Sequence, residues 1–139
     1  MINITEEWKP AKYCRDTGET EDWSHMLEVS NLGNVRYTEE YKSVHKKLQG
    51  DGPLIRKAGN KRYNYQYIEV HPEGKTTIRR LHRLVLSTFN PLHGNKKKKM
   101  DADHIDFDAL NNKLYNLRWM DRSLSRARKK TTCNDYEFK

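Results

Sequence analysis

Hydrophobic and polar positions alternate along much of the chain, and the period of the alternation changes twice. Leu27 and Val29 are separated by polar residues, the period-two pattern of a half-buried strand. Asn31 to Asn34, around Gly33, supplies turn chemistry, and Val35-Arg36-Tyr37 is the return strand, so the segment reads as a hairpin-like unit. Short strands are expected at Val44 to Leu48 and at Leu54-Ile55, among the breakers Gly50-Asp51-Gly52-Pro53 and Gly59-Asn60. Tyr63, Tyr65 and Tyr67 alternate on one face of a strand running to Val70. His71 to Gly74 is a turn, and Lys75 to Arg80 is the partner strand. The spacing then becomes helical: Leu81, Leu84, Val85 and Thr88 predict a helix over Leu81 to Phe89, ended by Asn90-Pro91. Met100 to His104 is strand-like, and Leu110, Leu114 and Leu117 are expected to form a small core under an Asn-rich turn. Arg118-Trp119-Met120 is a second strand, and Asp121 caps a helix from Arg122 to about Lys130. Residues after Thr131 carry no pattern. The fold class that follows is α+β: an N-terminal antiparallel β region, a linking helix, and a C-terminal strand–turn–strand–helix unit.

Composition narrows what such a fold is for. Of 139 residues, 35% are hydrophobic and 33% charged, and mean hydropathy is −1.10. The core is thin for the length, so parts of the chain are expected to order only on a partner. The net charge of +8 suggests nucleic acid, though basicity alone also fits a membrane surface or an acidic partner. The two cysteines, Cys14 and Cys133, form no CxxC pair, which argues against a disulfide scaffold and against a cysteine-built zinc site, and suits a reducing cytoplasm. No apolar run approaches membrane-spanning length, and the polar N-terminus does not read as a signal peptide.

The chemistry concentrates in Asp103-His104-Ile105-Asp106, Asn111-Asn112 and Asn116-Leu117-Arg118-Trp119. Two other blocks keep step with it: Trp8-Lys9-Pro10 with Glu28 to Arg36, and Leu81-His82-Arg83-Leu84-Val85 with Phe89-Asn90-Pro91. Each block alone is a weak motif, but the three in order and register are specific. Together they span most of the chain, which resembles the phage and intron-encoded HNH homing endonucleases of the nicking type, with a nuclease-associated modular domain at the N-terminus.

That resemblance implies a ββα-metal (His-Me finger) site and a DNA-binding region over residues 1–62, a nuclease domain over 63–130 and a flexible tail over 131–139. His104 is then the general base that activates water, Asp103 a ligand of one divalent metal, Mg²⁺ or Mn²⁺, and Asn112 the structural Asn that keeps the turn closed. Zinc is not expected. The family's second metal ligand, an Asn or His on the last helix, falls here on Ser125, a shorter and neutral group. Three readings of that departure stay open: loose metal binding through Ser125, an offset helix that brings in another residue, or a silenced variant. Double-stranded DNA is the implied partner, bound by a monomer in the cytoplasm of a bacterial host, with no membrane role.

The surrounding basic residues are candidate DNA contacts: Arg36, Arg62, Arg79, Arg80, Arg83, Arg118, Arg122 and Arg126, with His82 balanced between phosphate contact and packing. Arg56, Lys57 and Lys61 are further candidates in the N-terminal half. His25, His45, His71 and His93 lie in polar segments and read as solvated. Lys96 to Lys99 is a solvated loop that next to a nuclease site also holds phosphates without reading sequence. Two rival classes remain. One is a DNA-binding or regulatory protein on a catalytically weakened scaffold, which Ser125 keeps alive. The other is a basic surface aimed at a host or phage protein.

Overall fold

The computed structural model describes residues 4–57, 65–93 and 99–127. Five short strands come first: β1 (Trp8–Pro10), β2 (Lys12–Cys14), β3 (Thr20–Asp22), β4 (Leu27–Ser30) and β5 (Val35–Tyr37). β1, β4 and β5 form one antiparallel sheet in that order, and β2 pairs with β3 in another. The expected hairpin is β4–β5, with Leu27 and Val29 fully buried on one face. The strands before it carry too few apolar residues to show as alternation.

Residues expected to begin a strand at Val44 instead end a helix, α1 (Glu39–Val44). The hydroxyl of Thr38 accepts a hydrogen bond from the Tyr41 amide, and Glu39 and Glu40 place negative charge in the first turn, both of which favour helix initiation. Val44 itself is 71% exposed, so no buried partner draws it into a sheet.

A third sheet follows, β6 (Ile55–Lys57), β7 (Gln66–Val70) and β8 (Thr77–Arg80), antiparallel and in that order. The period-two pattern holds in β7, where Ile68 and Val70 are buried and Tyr67 and Glu69 are half-exposed. Tyr63 lies outside the described residues. β8 runs directly into α2 (Leu81–Phe89), which is the helix that the spacing predicts.

α2 is the centre of the molecule. All residues from Leu81 to Thr88 are buried, polar ones included. Its apolar side supplies Leu81, Leu84, Val85 and Leu86 to a single hydrophobic cluster that also takes Ala11, Met26 and Val29 from the N-terminal region and Ala102 and Leu117 from the C-terminal strands. Its polar side satisfies backbone groups of β2 that have no strand partner. Ser87 Oγ accepts from the Cys14 amide at 3.0 Å, Thr88 Oγ1 accepts from the Lys12 amide at 3.1 Å, and Arg83 Nε donates to the Cys14 carbonyl at 2.5 Å. Buried backbone groups must be paired, and here side chains of a helix do the pairing.

Last come β9 (Met100–His104) and β10 (Leu117–Asp121), an antiparallel pair. Residues 122–127 are helical and are called α3. Of the three leucines expected under the Asn-rich turn, Leu117 is buried and Leu114 packs against the core, but Leu110 is 40% exposed. Polar bonds, described below, hold that part of the turn. No helix among the described residues is long and apolar enough to cross a membrane.

Candidate active site

β9 delivers two buried, chemically competent residues at its end: Asp103, 1% exposed, and His104, 8% exposed. Successive side chains on a strand point to opposite faces. Across the ladder Asp103 stands opposite Arg118 on β10, whose Nε lies 3.3 Å from Asp103 Oδ2. Ser125, on α3, is fully buried, and its hydroxyl has no hydrogen-bond partner among the described residues.

The imidazole of His104 is held on two sides. Nε2 lies 2.8 Å from Oδ1 of the buried Asn112, and Asn112 Nδ2 donates to Gln66 Oε1 at 2.7 Å. An amide oxygen only accepts, so in this orientation Nε2 is a donating nitrogen of the ring. The ring of His82 packs against that of His104, with centroids 4.6 Å apart and planes at 34°. His82 is 6% exposed, so of its two readings packing is the one the structure supports.

The turn is closed by Asn111 and Asn116, the two asparagines read as turn and cap residues, acting on Asp106. Asn116 Nδ2 donates to Asp106 Oδ1 at 2.8 Å and to the Asn111 carbonyl at 2.9 Å, and Asn116 Oδ1 accepts from the Asp106 amide at 3.1 Å. Asn111 Nδ2 donates to Asp106 Oδ2 at 2.9 Å. Hydrogen bonds from Asn111, the Asp108 amide and Asn116 hold the Asp106 carboxyl below its ordinary value. The closing role assigned to Asn112 therefore falls to Asp106, Asn111 and Asn116, and Asn112 is turned toward His104. The β4–β5 turn braces the same loop: the Asn31 carbonyl accepts from the Leu114 amide at 2.8 Å.

The basic residues separate by what holds them. Arg83 is 6% exposed; beyond its Cys14 bond it donates to the Met100 carbonyl at 2.8 Å and lies 3.4 Å from Asp16. Arg122 pairs with Asp16 at 2.6 Å and Asp101 at 3.0 Å, and Arg79 grips Glu21 through two bonds of 2.6 Å. These three arginines tie elements together rather than facing solvent. Arg36 pairs with Glu28 at 3.0 Å and lies 3.9 Å from the Trp8 ring centroid. Arg80 is exposed over the Tyr65 ring, and Arg118 and Arg126 are exposed. Arg56, Tyr67 and Arg80 stand side by side across the third sheet. Arg62, Lys61 and the lysines 96 to 98 lie outside the described residues, and Lys99 is exposed.

Gln66 is the site residue that sequence reading passes over. It shares the inward-facing alternation of Ile68 and Val70, and a polar residue at a core-facing strand position is the one signal it leaves.

Among the described residues no group of three or more His, Cys, Asp and Glu side chains is placed to hold a metal ion. Asp103, a buried carboxylate, and Ser125, a buried hydroxyl without a hydrogen-bond partner among the described residues, are oxygen donors of the kind a hard divalent cation takes while keeping most of its shell as water.

The chain is similar in fold to the solved structure titled "DNA binding and cleavage by the HNH homing endonuclease I-HmuI", with a TM-score of 0.61 and 24% sequence identity over 91% of this chain and 59% of that one. The chain thus spans well under two thirds of that protein, and the likeness is one of fold. No protein-family model and no curated protein matches the chain.

Proposed function

We propose that this protein is a metal-dependent DNA endonuclease of the HNH type that hydrolyses phosphodiester bonds and nicks one strand. The observation that carries the reading is the buried Asp103–His104 pair at the end of β9, with His104 Nε2 hydrogen-bonded to Asn112. The likeness in fold to a DNA-cleaving homing endonuclease supports it.

His104 Nδ1 takes the proton of a water as that water attacks phosphorus in line with the departing 3′ oxygen. A positioned imidazole is a suitable general base near neutral pH. Asn112 fixes the ring and His82 limits its rotation. Asp103 and Ser125 are the residues to hold Mg²⁺ or Mn²⁺, which when bound supplies Lewis-acid stabilisation to the phosphate and the leaving oxygen. One site per chain favours a nick.

Residues 1–62 and 63–130 serve as DNA-binding and nuclease regions. Arg36, Arg80, Arg118 and Arg126 contact DNA, joined by Arg56, and β-ribbons of this size fit the major groove. Supercoiled plasmid is expected to relax in Mg²⁺ or Mn²⁺ and to stay supercoiled when the cation is chelated or Asp103→Asn is used. Equal nicking by Asp103→Asn overturns the site assignment.

One observation favours a second reading, a DNA-binding protein on a catalytically weakened scaffold. Ser125 offers a neutral hydroxyl where an amide or imidazole would reach further, and Arg118 already neutralises Asp103. This reading predicts metal-independent DNA binding without cleavage, and nicking gained by Ser125→Asn.

A further inference from the structure

We infer that Gln66 is a positioning residue for His104: through Asn112 it sets which nitrogen of the imidazole carries the proton. The inference deepens the nuclease reading and rests on it for its catalytic consequence, but its structural content stands on the hydrogen-bond chain alone. Gln66 opens β7 and is remote in sequence from the turn, 46 residues before Asn112. It is half-buried, beside the buried Ile68. From there its Oε1 receives Asn112 Nδ2, and Asn112 Oδ1 in turn receives His104 Nε2.

The chain of bonds has a direction, and the direction has a chemical consequence. Both Gln and Asn side chains are amides that accept at one end and donate at the other. If both reversed, Gln66 would donate to Asn112, Asn112 would donate to His104 Nε2, and the ring proton would move to Nδ1. The lone pair would then point at Asn112 and be useless as a base toward water. The orientation seen here, with Gln66 accepting, keeps the proton on Nε2. A residue at 66 that only accepts locks this direction, and one that makes no hydrogen bond removes the control. The link also joins the base to the β6–β7–β8 sheet, so the sheet that carries Arg56, Tyr67 and Arg80 on its other face is built into the geometry of His104.

The test combines ring tautomer and rate. ¹⁵N NMR of His104 in the full chain, recorded where the ring is neutral, is expected to show the Nε2–H tautomer in the parent and in Gln66→Glu, and a mixture in Gln66→Met. In plasmid nicking, Gln66→Met is expected to lose about 10- to 100-fold in kcat, in the range seen when a supporting hydrogen bond is removed from a site residue. Its DNA affinity is expected to be unchanged, and Gln66→Glu is expected to stay within about threefold of the parent, since its carboxylate keeps the single acceptor that Asn112 needs. A parent ring found as Nδ1–H overturns the inference without any variant. So does Gln66→Met with an unchanged tautomer and an unchanged kcat. If the parent does not nick but the tautomer responds to position 66 as described, the nuclease reading falls and the positioning role stands.

Discussion

Gly33 occupies the β4–β5 turn at a φ of +84°, and a Cβ there would lie 2.9 Å from the Asn112 carbonyl oxygen. The left-handed backbone alone costs a non-glycine residue about 1–2 kcal/mol, and the close approach adds to it. Gly33→Ala is therefore expected to lower unfolding free energy by at least that amount in urea titration, and to slow nicking as well, because the displaced neighbour carries the bond to His104. A Gly33→Ala protein as stable as the parent contradicts the close approach. At this scale the motif makes Asp103, His104 and Asn112 legible in sequence, since their spacing is local. Gln66 is not legible, because its contact spans 46 residues and its only trace is one polar letter on an apolar face. Arg83 misleads for a related reason. Its charge reads as a phosphate contact, but its burial against Cys14 and Met100 is decided by tertiary packing.

Among the elements, α2 was the easiest to read and carries the most. Helical spacing of Leu81, Leu84, Val85 and Thr88 is strong, but that the helix would be buried on its polar side too depends on the edge of β2, which no periodicity reveals. Leu84 is 1% exposed. Leu84→Ala is expected to cost roughly 2–5 kcal/mol, read as a shift in the urea midpoint. A loss under about 1 kcal/mol, the level of tolerated surface changes, would place α2 outside the core. Val44, where a strand is expected, ends α1 instead because a cap and two acidic residues favour the helix. The elements are also pinned by charge: Asp16 reaches both Arg83 on α2 and Arg122 on α3. Burial alone would raise the Asp16 carboxyl; the hydrogen bond from Arg122 and the charges of Arg83, Arg122 and Arg80 outweigh it and hold it below 3.8. A lowered folded-state value means stability present above the ordinary carboxylate value and lost as pH falls below it. Thermal stability is expected to drop below pH about 4, and Asp16→Asn is expected to flatten that drop while lowering stability at neutral pH. An unaltered acid limb in Asp16→Asn contradicts the pairing.

For the molecule as a whole, the net charge of +8 is the most visible property of the sequence, and the structure divides it. Arg79, Arg83 and Arg122 are held in ion pairs between elements, whereas Arg80 and Arg126 are exposed, and Arg118, also exposed, is paired with Asp103. DNA affinity is expected to fall linearly in log–log form with salt, and Arg80→Ala and Arg126→Ala are each expected to reduce the slope by about 1. Arg79→Ala is expected to lower stability and leave the slope alone. An Arg79→Ala slope change as large as that of Arg80→Ala would contradict the division. Fold class was legible because the alternation and the helix are local patterns. The way one hydrophobic cluster draws on strands from both ends of the chain was not, since it is a property of packing. The central claim is that His104 is the base of a DNA-cleaving site. Its most direct test is the single-turnover rate of plasmid nicking, with enzyme in excess, in Mg²⁺ and in Mn²⁺, for the parent, His104→Ala and Ser125→Asn. A parent that nicks, a His104→Ala protein slower by about 100-fold or more while still binding DNA, and a Ser125→Asn protein at least as fast as the parent are the predicted results. Nicking by His104→Ala at the parental rate, or no nicking by the parent and Ser125→Asn alike, would contradict it.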